Sequence, residues 1–223
     1  MIAAPQRRPR VVYPTSDGKP VAETELHFRE IFAMVQMLDR IFDGRSDAYV
    51  AGNNFLYYEE GNPSACFSPD VYVVFGVSKK VRDTFKVWKE GGHVPSFVLE
   101  LTSKSTKDED LGDKKRKCER LKVREYFMFD PRGDYLVPSL RGFRLKGSAY
   151  AEIEPDELGR LFSDVLNHKL DVCDVTHLGL YDSITGVRLP RLEELAQREA
   201  DARRAAEEEN ERLKAELKRL KKN

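Results

Sequence analysis

Hydrophobic residues recur every three or four positions between residues 22 and 43, in the segment AETELHFREIFAMVQMLDRIFD. This period matches one face of an α-helix, so the segment predicts an amphipathic helix with a wide apolar face. The residues predicted to form that face are Leu26, Phe28, Ile31, Phe32, Val35, Leu38, Ile41 and Phe42.

Short runs of β-branched and aromatic residues, bounded by Gly, Pro, Asn or Asp, follow this helix and predict β-strands. The runs are AYVAGNNFLYYEEG (with a break at GNN), CFSPDVYVVFGV, SFVLELTS, EYFMFDP and HLGLYDSITGVRLP. SFVLELTS is the run expected at the centre of the sheet. The segment GDYLVPSLRGFRLKGSAYAEIEPD predicts an antiparallel hairpin, and ELGRLFSDVLNHKL predicts a short helix.

A polar segment, TKDEDLGDKKRKCERLKVR, lies between SFVLELTS and EYFMFDP and predicts a further helix. A strand, a helix and a strand in this order predict a parallel crossover. Residues 21–185 are therefore expected to form an α/β domain with a central mixed β-sheet flanked by helices. Residues 1–20, which are rich in Pro and Arg, predict an irregular lead-in.

The composition changes at Arg191, and residues 191–223 predict one long charged helix without Gly or Pro. A heptad assignment places Leu189, Ala196, Arg203, Asn210 and Leu217 at one seam position, and Leu192, Glu199, Ala206, Leu213 and Leu220 at the other. The leucines and the asparagine are typical of a dimeric coiled coil, whereas Arg203 and Glu199 weaken its middle. Two interpretations stay open: a single solvated helix, and a coil that pairs two subunits or binds another protein.

Composition and charge limit the classes of function. The 223 residues can bury one core, and Lys plus Arg balance Asp plus Glu at 38 each, so contact with nucleic acid has to use a local patch. No run approaches the ~20 apolar residues of a membrane span. The three cysteines have no CxxC spacing, which argues against a disulfide framework or a zinc knuckle. These features predict a cytoplasmic protein that does not contact a membrane.

Two acidic residues stand at or within apolar strands, where a carboxylate is costly to desolvate. Asp70 follows Pro69, and Glu100 lies among valine and leucine residues 30 positions later. If their strands are neighbours, the two carboxylates form an oxygen-rich site suited to Mg²⁺. The alternative is that each acid is structural, with Asp70 capping a turn; the spacing favours this for Asp70 more than for Glu100.

The basic helix supplies a candidate for a third charged group. Leu111, Lys114, Cys118 and Leu121 follow one another at spacings of three, four and three, so they share one face of the helix. Three of the four are natural core residues, and Lys114 is the exception. It either extends its ammonium to solvent or points into a polar site beneath the helix. A lysine in such a site would help to deprotonate water or to neutralise a phosphate.

At these residues the sequence resembles the restriction-endonuclease-like PD-(D/E)XK nucleases, and within them the bacterial Uma-two branch. The matching motifs are YPTSDGKPVAETELH, YYEEGNP, SPDVYVVFGV, VLELTSKSTKDEDLGDKK and VREYFMFDP. The resemblance implies a restriction-endonuclease-like core, a Mg²⁺ site that also accepts Mn²⁺, and hydrolysis of DNA. Asp70 and Glu100 match the metal-binding acids. The superfamily's usual lysine position holds Thr102, and Lys114 matches the lysine thought to replace it in this branch.

The resemblance extends to residues outside this core set. Glu23 or Glu25, at the start of the first helix, is similar to an extra acid that some members bring to the metal, and His27 is a weaker candidate. Lys104, Lys107 and Lys117 are placed to contact phosphates, although a solvated basic face would look the same.

The resulting hypothesis is a Mg²⁺-dependent DNA endonuclease with Asp70, Glu100, Lys114 and Glu23 as catalytic residues, acting as a homodimer. The alternative is a catalytically weak or inactive nucleic-acid-binding module that recruits a protein partner through residues 191–223. A third interpretation is an interaction protein whose acids are structural.

Overall fold

The chain forms two compact units, Met1–Arg188 and Leu189–Asn223. The computed structural model describes residues 11–16, 24–103, 109–174 and 176–221, with the backbone alone for 109–111. The domain boundaries at residues 20, 185 and 191 stay predictions, because the division into two units does not test them.

The first unit contains twelve strands, two α-helices and two short helical segments within the described ranges. The helical elements are α1 (Glu25–Ile41), a 3₁₀ turn (Val87–Glu90), a π-helical segment (Glu109–Lys114) and α2 (Lys115–Arg120). The strands are β1 (Ala48–Ala51), β2 (Phe55–Tyr57), β3 (Cys66–Phe67), β4 (Val71–Phe75), β5 (Thr84–Lys86), β6 (Phe97–Leu101), β7 (Glu125–Phe129), β8 (Leu140–Lys146), β9 (Ala149–Glu152), β10 (Leu161–Ser163), β11 (His168–Asp174) and β12 (His177–Asp182).

Six strands form the central sheet, in the order β1-β4-β6-β7-β8-β9. Strands β6 and β7 are parallel and are joined through α2, while every other neighbouring pair in this sheet is antiparallel. The prediction of an α/β fold with a central mixed sheet is thereby confirmed. Two three-stranded sheets, β10-β11-β12 and β3-β2-β5, complete the unit.

The centre of the sheet is the core of the molecule. Every residue of β6 and β7 is buried, as expected for central strands that are covered on both faces. Cys118 of α2 packs with Val98, Tyr126 and Met128, which alternate along these strands. Helix α1 packs against β1, β4, β6 and β12. Helices α1 and α2 therefore both pack on the central sheet.

The helix α1 forms as predicted, but its buried face differs from the predicted one. Phe28 and Phe32 are exposed by 60% and 56%, whereas Glu30 is fully buried together with Met34 and Met37. Glu30 can be buried because its carboxylate accepts a hydrogen bond from the backbone N–H of Leu178 and lies 2.6 Å from His177 Nδ1. A contact with β12 therefore helps to determine which face of α1 is buried, and the spacing of hydrophobic residues in α1 does not reveal that contact.

Two other sequence predictions are wrong. CFSPDVYVVFGV forms two strands in different sheets, because the chain breaks around Pro69, whose carbonyl accepts a hydrogen bond from Asn53. ELGRLFSDVLNHKL forms β10 and the start of β11 instead of a helix. The intervening turn is bound to Glu125, whose carboxylate accepts hydrogen bonds from the backbone N–H groups of Asp164 and Val165.

The second unit consists of α3 (Leu192–Leu220), which confirms the predicted long charged helix. Leu189, the first residue of the predicted heptad assignment, precedes this helix. From Ala196 to Lys221 every side chain is exposed. None of the helices in the described ranges has the length and apolarity that crossing a membrane requires.

We expect Glu30→Gln to lower the free energy of unfolding by about 1–3 kcal/mol, because it weakens a buried hydrogen-bonded group that joins α1 to β12. Urea unfolding followed by circular dichroism measures the change. Glu25→Gln, on the exposed side of the same helix, is the matched control and is expected to change the free energy by less than about 0.5 kcal/mol. Equal losses in both variants would show that the Glu30 contact contributes nothing specific.

Candidate active site

Asp70 and Glu100 face each other across neighbouring strands of the central sheet. Val71 of β4 pairs with Leu99 of β6, so the antiparallel register sets the preceding residue, Asp70, opposite the following one, Glu100. Two hydrogen bonds join Asp70 to β6: the Asp70 backbone N–H donates to Glu100 Oε2 over 3.3 Å, and the Leu101 N–H donates to Asp70 Oδ2 over 2.8 Å. The sheet register therefore brings the two predicted carboxylates together.

Both carboxylates lie in the protein interior, with Glu100 fully buried and Asp70 exposed by 7%. Two negative charges held close together repel each other, and burial strengthens that repulsion. The pair is tolerated where cations and N–H donors compensate its charge. The arrangement consequently favours a positive charge at this place.

Lys114 supplies a positive charge. Its Nζ lies 2.9 Å from Glu100 Oε2, and its side chain is only 12% exposed. The lysine ends a π-helical segment, and such segments occur frequently at functional sites. Cys118, one turn further on, is fully buried. Of the two orientations that the sequence left open, the structure has the inward one, in which Lys114 pairs with Glu100.

His27 is a fourth member of the cluster. The first turn of α1 is capped by Thr24, whose Oγ1 accepts a hydrogen bond from the His27 N–H, and His27 Nε2 lies 3.4 Å from Asp70 Oδ2. The sequence made His27 only a weak candidate, because a histidine at a helix start is usually structural.

Thr102 occupies the position of the superfamily's usual lysine, next to this cluster. It is buried, and its hydroxyl forms a hydrogen bond with the hydroxyl of Tyr135. Sequence reasoning missed Tyr135, because no pattern links a loop tyrosine 33 positions away to the end of β6. A neutral hydrogen-bonded pair, Thr102 and Tyr135, thus occupies this position.

The remaining predicted site residues either lie outside the described residues or show no hydrogen bond or ion pair with Asp70 or Glu100 in the described part of the chain. Glu23, Lys104 and Lys107 lie outside the described residues. Glu25, the alternative to Glu23, is 77% exposed and pairs with Arg29. Lys117 is half-buried on α2.

Lys117 has its charge near the thiol of Cys66. Burial raises the pKa of that thiol, and the lysine lowers it in part. No contact in the described structure brings Lys117 to Asp70 or Glu100.

The residues present suit a hard cation. In the described part of the chain no group of three or more His, Cys, Asp or Glu is placed to hold a metal ion. Mg²⁺ in proteins uses one or two carboxylates and keeps several waters, and Asp70 with Glu100 provides that number. Burial, with a further contribution from Glu100, raises the pKa of the Cys118 thiol, which favours its neutral form. The donor set fits Mg²⁺ or Mn²⁺.

A family model matches most of the chain. The family model Uma2, described as "Putative restriction endonuclease", matches residues 2–175. The chain belongs to the Uma2 family. The match includes Asp70, Glu100 and Lys114 and every strand from β1 to β11. The predicted relationship to Uma2 endonucleases is confirmed, and nucleases of this kind generally use divalent metal ions.

One solved structure that the Uma2 chain resembles is described as a putative nuclease belonging to DUF820, from Anabaena variabilis ATCC 29413. The sequences are 11% identical, the alignment covers 65% of this chain and 75% of that chain, and the TM-score is 0.47. The search of curated proteins gave no match. The assignment to Uma2 therefore depends on the family model.

Proposed function

We propose that the chain is a Mg²⁺-dependent DNA endonuclease in which Asp70 and Glu100 hold the metal and Lys114 assists hydrolysis. The observation that carries the proposal is that three charged side chains converge in the buried part of the central sheet. Asp70 comes from the residue before β4, Glu100 from β6, and Lys114 from the helical crossover between β6 and β7. A buried acid with a structural role usually has its own cation or N–H donors. Two buried carboxylates on opposite strands, with a lysine at one of them, are more typical of a catalytic site.

The reaction is the hydrolysis of a phosphodiester bond, in which a water oxygen bonds to phosphorus and the bond to the leaving sugar oxygen breaks. A bound Mg²⁺ would supply Lewis acidity to the phosphate and lower the pKa of a bound water. Asp70 and Glu100 would bind the ion through carboxylate oxygens. The Lys114 ammonium would donate a hydrogen bond to the attacking water or to a phosphate oxygen. His27, beside Asp70, would help to hold that carboxylate in place.

DNA contact in this proposal is local and independent of sequence. Lys104, Lys107 and Lys117 would bind phosphates flanking the cleaved bond, since the balanced net charge provides no long-range attraction. Two subunits joined through residues 191–223 would present two such sites, one for each strand. A cytoplasmic location agrees with a DNA substrate.

Calorimetric titration of Mn²⁺ and Mg²⁺ tests the metal site. We expect the wild-type chain to bind the ions and Asp70→Ala to lose the binding, because one of two ligands is gone. Asp134→Ala, which removes an exposed acid, is the control and should bind like the wild type. Metal binding that survives in Asp70→Ala would place the site elsewhere.

Nicking of supercoiled plasmid by the wild-type chain tests the activity. It is expected with Mg²⁺ or Mn²⁺ and should stop when a chelator is added. Metal and DNA binding without nicking would instead support the inactive nucleic-acid-binding module, an alternative that Thr102 in the usual lysine position favours.

A further inference from the structure

The last two heptads of α3 have an apolar stripe along one side of the helix. Leu213, Leu217 and Leu220 are 48%, 56% and 67% exposed, and Ala206 and Asn210 continue their seam toward the start of the helix. Exposed leucines at this spacing are typical of a helix that pairs with another helix. We propose that Ala206–Lys221 pairs with the same segment of a second copy in a parallel, in-register, two-stranded coiled coil.

Charges beside the seam favour the parallel orientation. In the segment Ala206–Lys221, Glu209 and Glu216 occupy the g positions, and Glu207, Lys214 and Lys221 occupy the e positions. In a parallel pair each g residue faces the e residue of the next heptad on the other helix, so glutamates meet lysines throughout. In an antiparallel pair g faces g, so Glu209 and Glu216 would meet glutamates of the other helix. The pattern therefore selects one orientation.

Asn210 selects the register. In the isolated helix its side-chain N–H donates to the carbonyl of Ala206 over 3.1 Å, an exposed local bond. At the seam of a parallel dimer, two such asparagines bond to each other, and this pairing fixes both register and the two-stranded state. A shift of one heptad would bury Asn210 against Arg203 or Leu217. Only the in-register dimer joins asparagine to asparagine.

The first half of α3 does not support the same pairing. Glu199 and Arg203 stand at its seam positions, so a dimer there would desolvate charged groups. The competing bonds within the second half are exposed pairs along the helix, such as Lys214 with Glu211, and pairs of this kind contribute little. Dimerisation can exchange them for contacts between helices. The coiled coil is therefore assigned to Ala206–Lys221 alone.

Sedimentation equilibrium of the full chain tests the interface. We expect the wild type to be a dimer and Leu213→Glu to be a monomer over the same concentration range. Ala215→Glu is the matched control: it adds the same charge two residues away, on the outer face, and should remain a dimer. A monomeric wild type, or a Leu213→Glu variant with the mass of the wild type, would overturn the proposal. The result does not depend on nuclease activity.

Disulfide cross-linking tests orientation and register. In a chain carrying Cys66→Ser and Cys173→Ser, the single substitutions Ala206→Cys and Leu217→Cys are each expected to give a covalent dimer on mild oxidation. Ala215→Cys, on the outer face, should give little. An antiparallel pair cannot join both positions to themselves, since they lie at opposite ends of the segment. Failure of either seam position to cross-link would contradict the parallel arrangement.

Discussion

Glu100→Gln is expected to lower metal-dependent DNA cleavage at least about 10²-fold. The substitution keeps the shape of the side chain and removes the negative charge that would hold the metal. Metal ions contribute several kcal/mol to the stabilisation of phosphoryl transition states, and each 1.36 kcal/mol is a factor of ten in rate. Glu100 is fully buried in β6, so the substitution removes this charge from the interior of the sheet.

Two measurements separate this effect from misfolding. The initial rate of plasmid nicking gives the loss of activity, and thermal unfolding with and without Mg²⁺ reports metal binding. Saturating metal should raise the melting temperature of the wild type, since a ligand at 100 times its Kd stabilises by about 2.7 kcal/mol, and should leave that of Glu100→Gln unchanged.

Glu152→Gln removes a half-exposed carboxylate paired with Arg141 and is the control. It should cleave like the wild type. A Glu100→Gln variant that cleaves within threefold of the wild type would exclude Glu100 as a metal ligand.

Other buried acids of this protein show why Asp70 and Glu100 differ. Asp130 accepts three backbone hydrogen bonds, from residues 132, 135 and 136, and Glu125 binds Arg144 and the turn after β10. Each of these acids is satisfied separately by donors that fix a loop. Asp70 and Glu100 instead lie opposite each other on neighbouring strands, with Lys114 at Glu100 and His27 at Asp70. A cation bound between the two carboxylates would offset the repulsion of their negative charges.

Much of this group could be predicted because local patterns carry the information. The alternation of SFVLELTS places Glu100 on an inner face of a central strand, and the spacing of Lys114 and Cys118 places the lysine on the inner face of the next helix. Neither inference needs knowledge of which strands pair. That the strands of Asp70 and Glu100 are neighbours was assumed without evidence from the sequence, and in the structure β4 does pair with β6.

The features that sequence reasoning missed depend on contacts between distant parts of the chain. Glu30 becomes buried through β12, almost 150 residues later, and this turns Phe28 and Phe32 outward. The segment that became β10 contains leucine and valine at helical spacing, but Glu125 binds its turn and holds it in a hairpin. The spacing of hydrophobic residues predicts which face of a helix is apolar. It does not predict which polar group on a distant strand will bind a polar residue of that helix.

Lys114→Met is expected to lower cleavage about 10²–10³-fold while metal binding is retained. The substitution removes a hydrogen-bond donor that would face the reacting groups. Loss of one donor to a transition-state oxyanion lowers kcat by about this factor in other enzymes. The methionine keeps the length and the apolar stem of the lysine. Metal affinity should stay equal or increase, because the ammonium no longer competes for Glu100 Oε2. Retained binding without cleavage distinguishes Lys114→Met from Glu100→Gln, which should lose both.

Stability has to be controlled in this variant, since removing one member of a buried ion pair lowers the free energy of unfolding by about 3 kcal/mol. Added Mg²⁺ should restore part of that loss by replacing the positive charge. Nicking is therefore measured at a temperature at which circular dichroism shows the variant folded. Lys122→Met makes the same change at an exposed lysine after α2 and should cleave at the wild-type rate. Equal losses in Lys114→Met and Lys122→Met would show that the lysines act through surface charge, and Lys114 would then have no role in the chemistry.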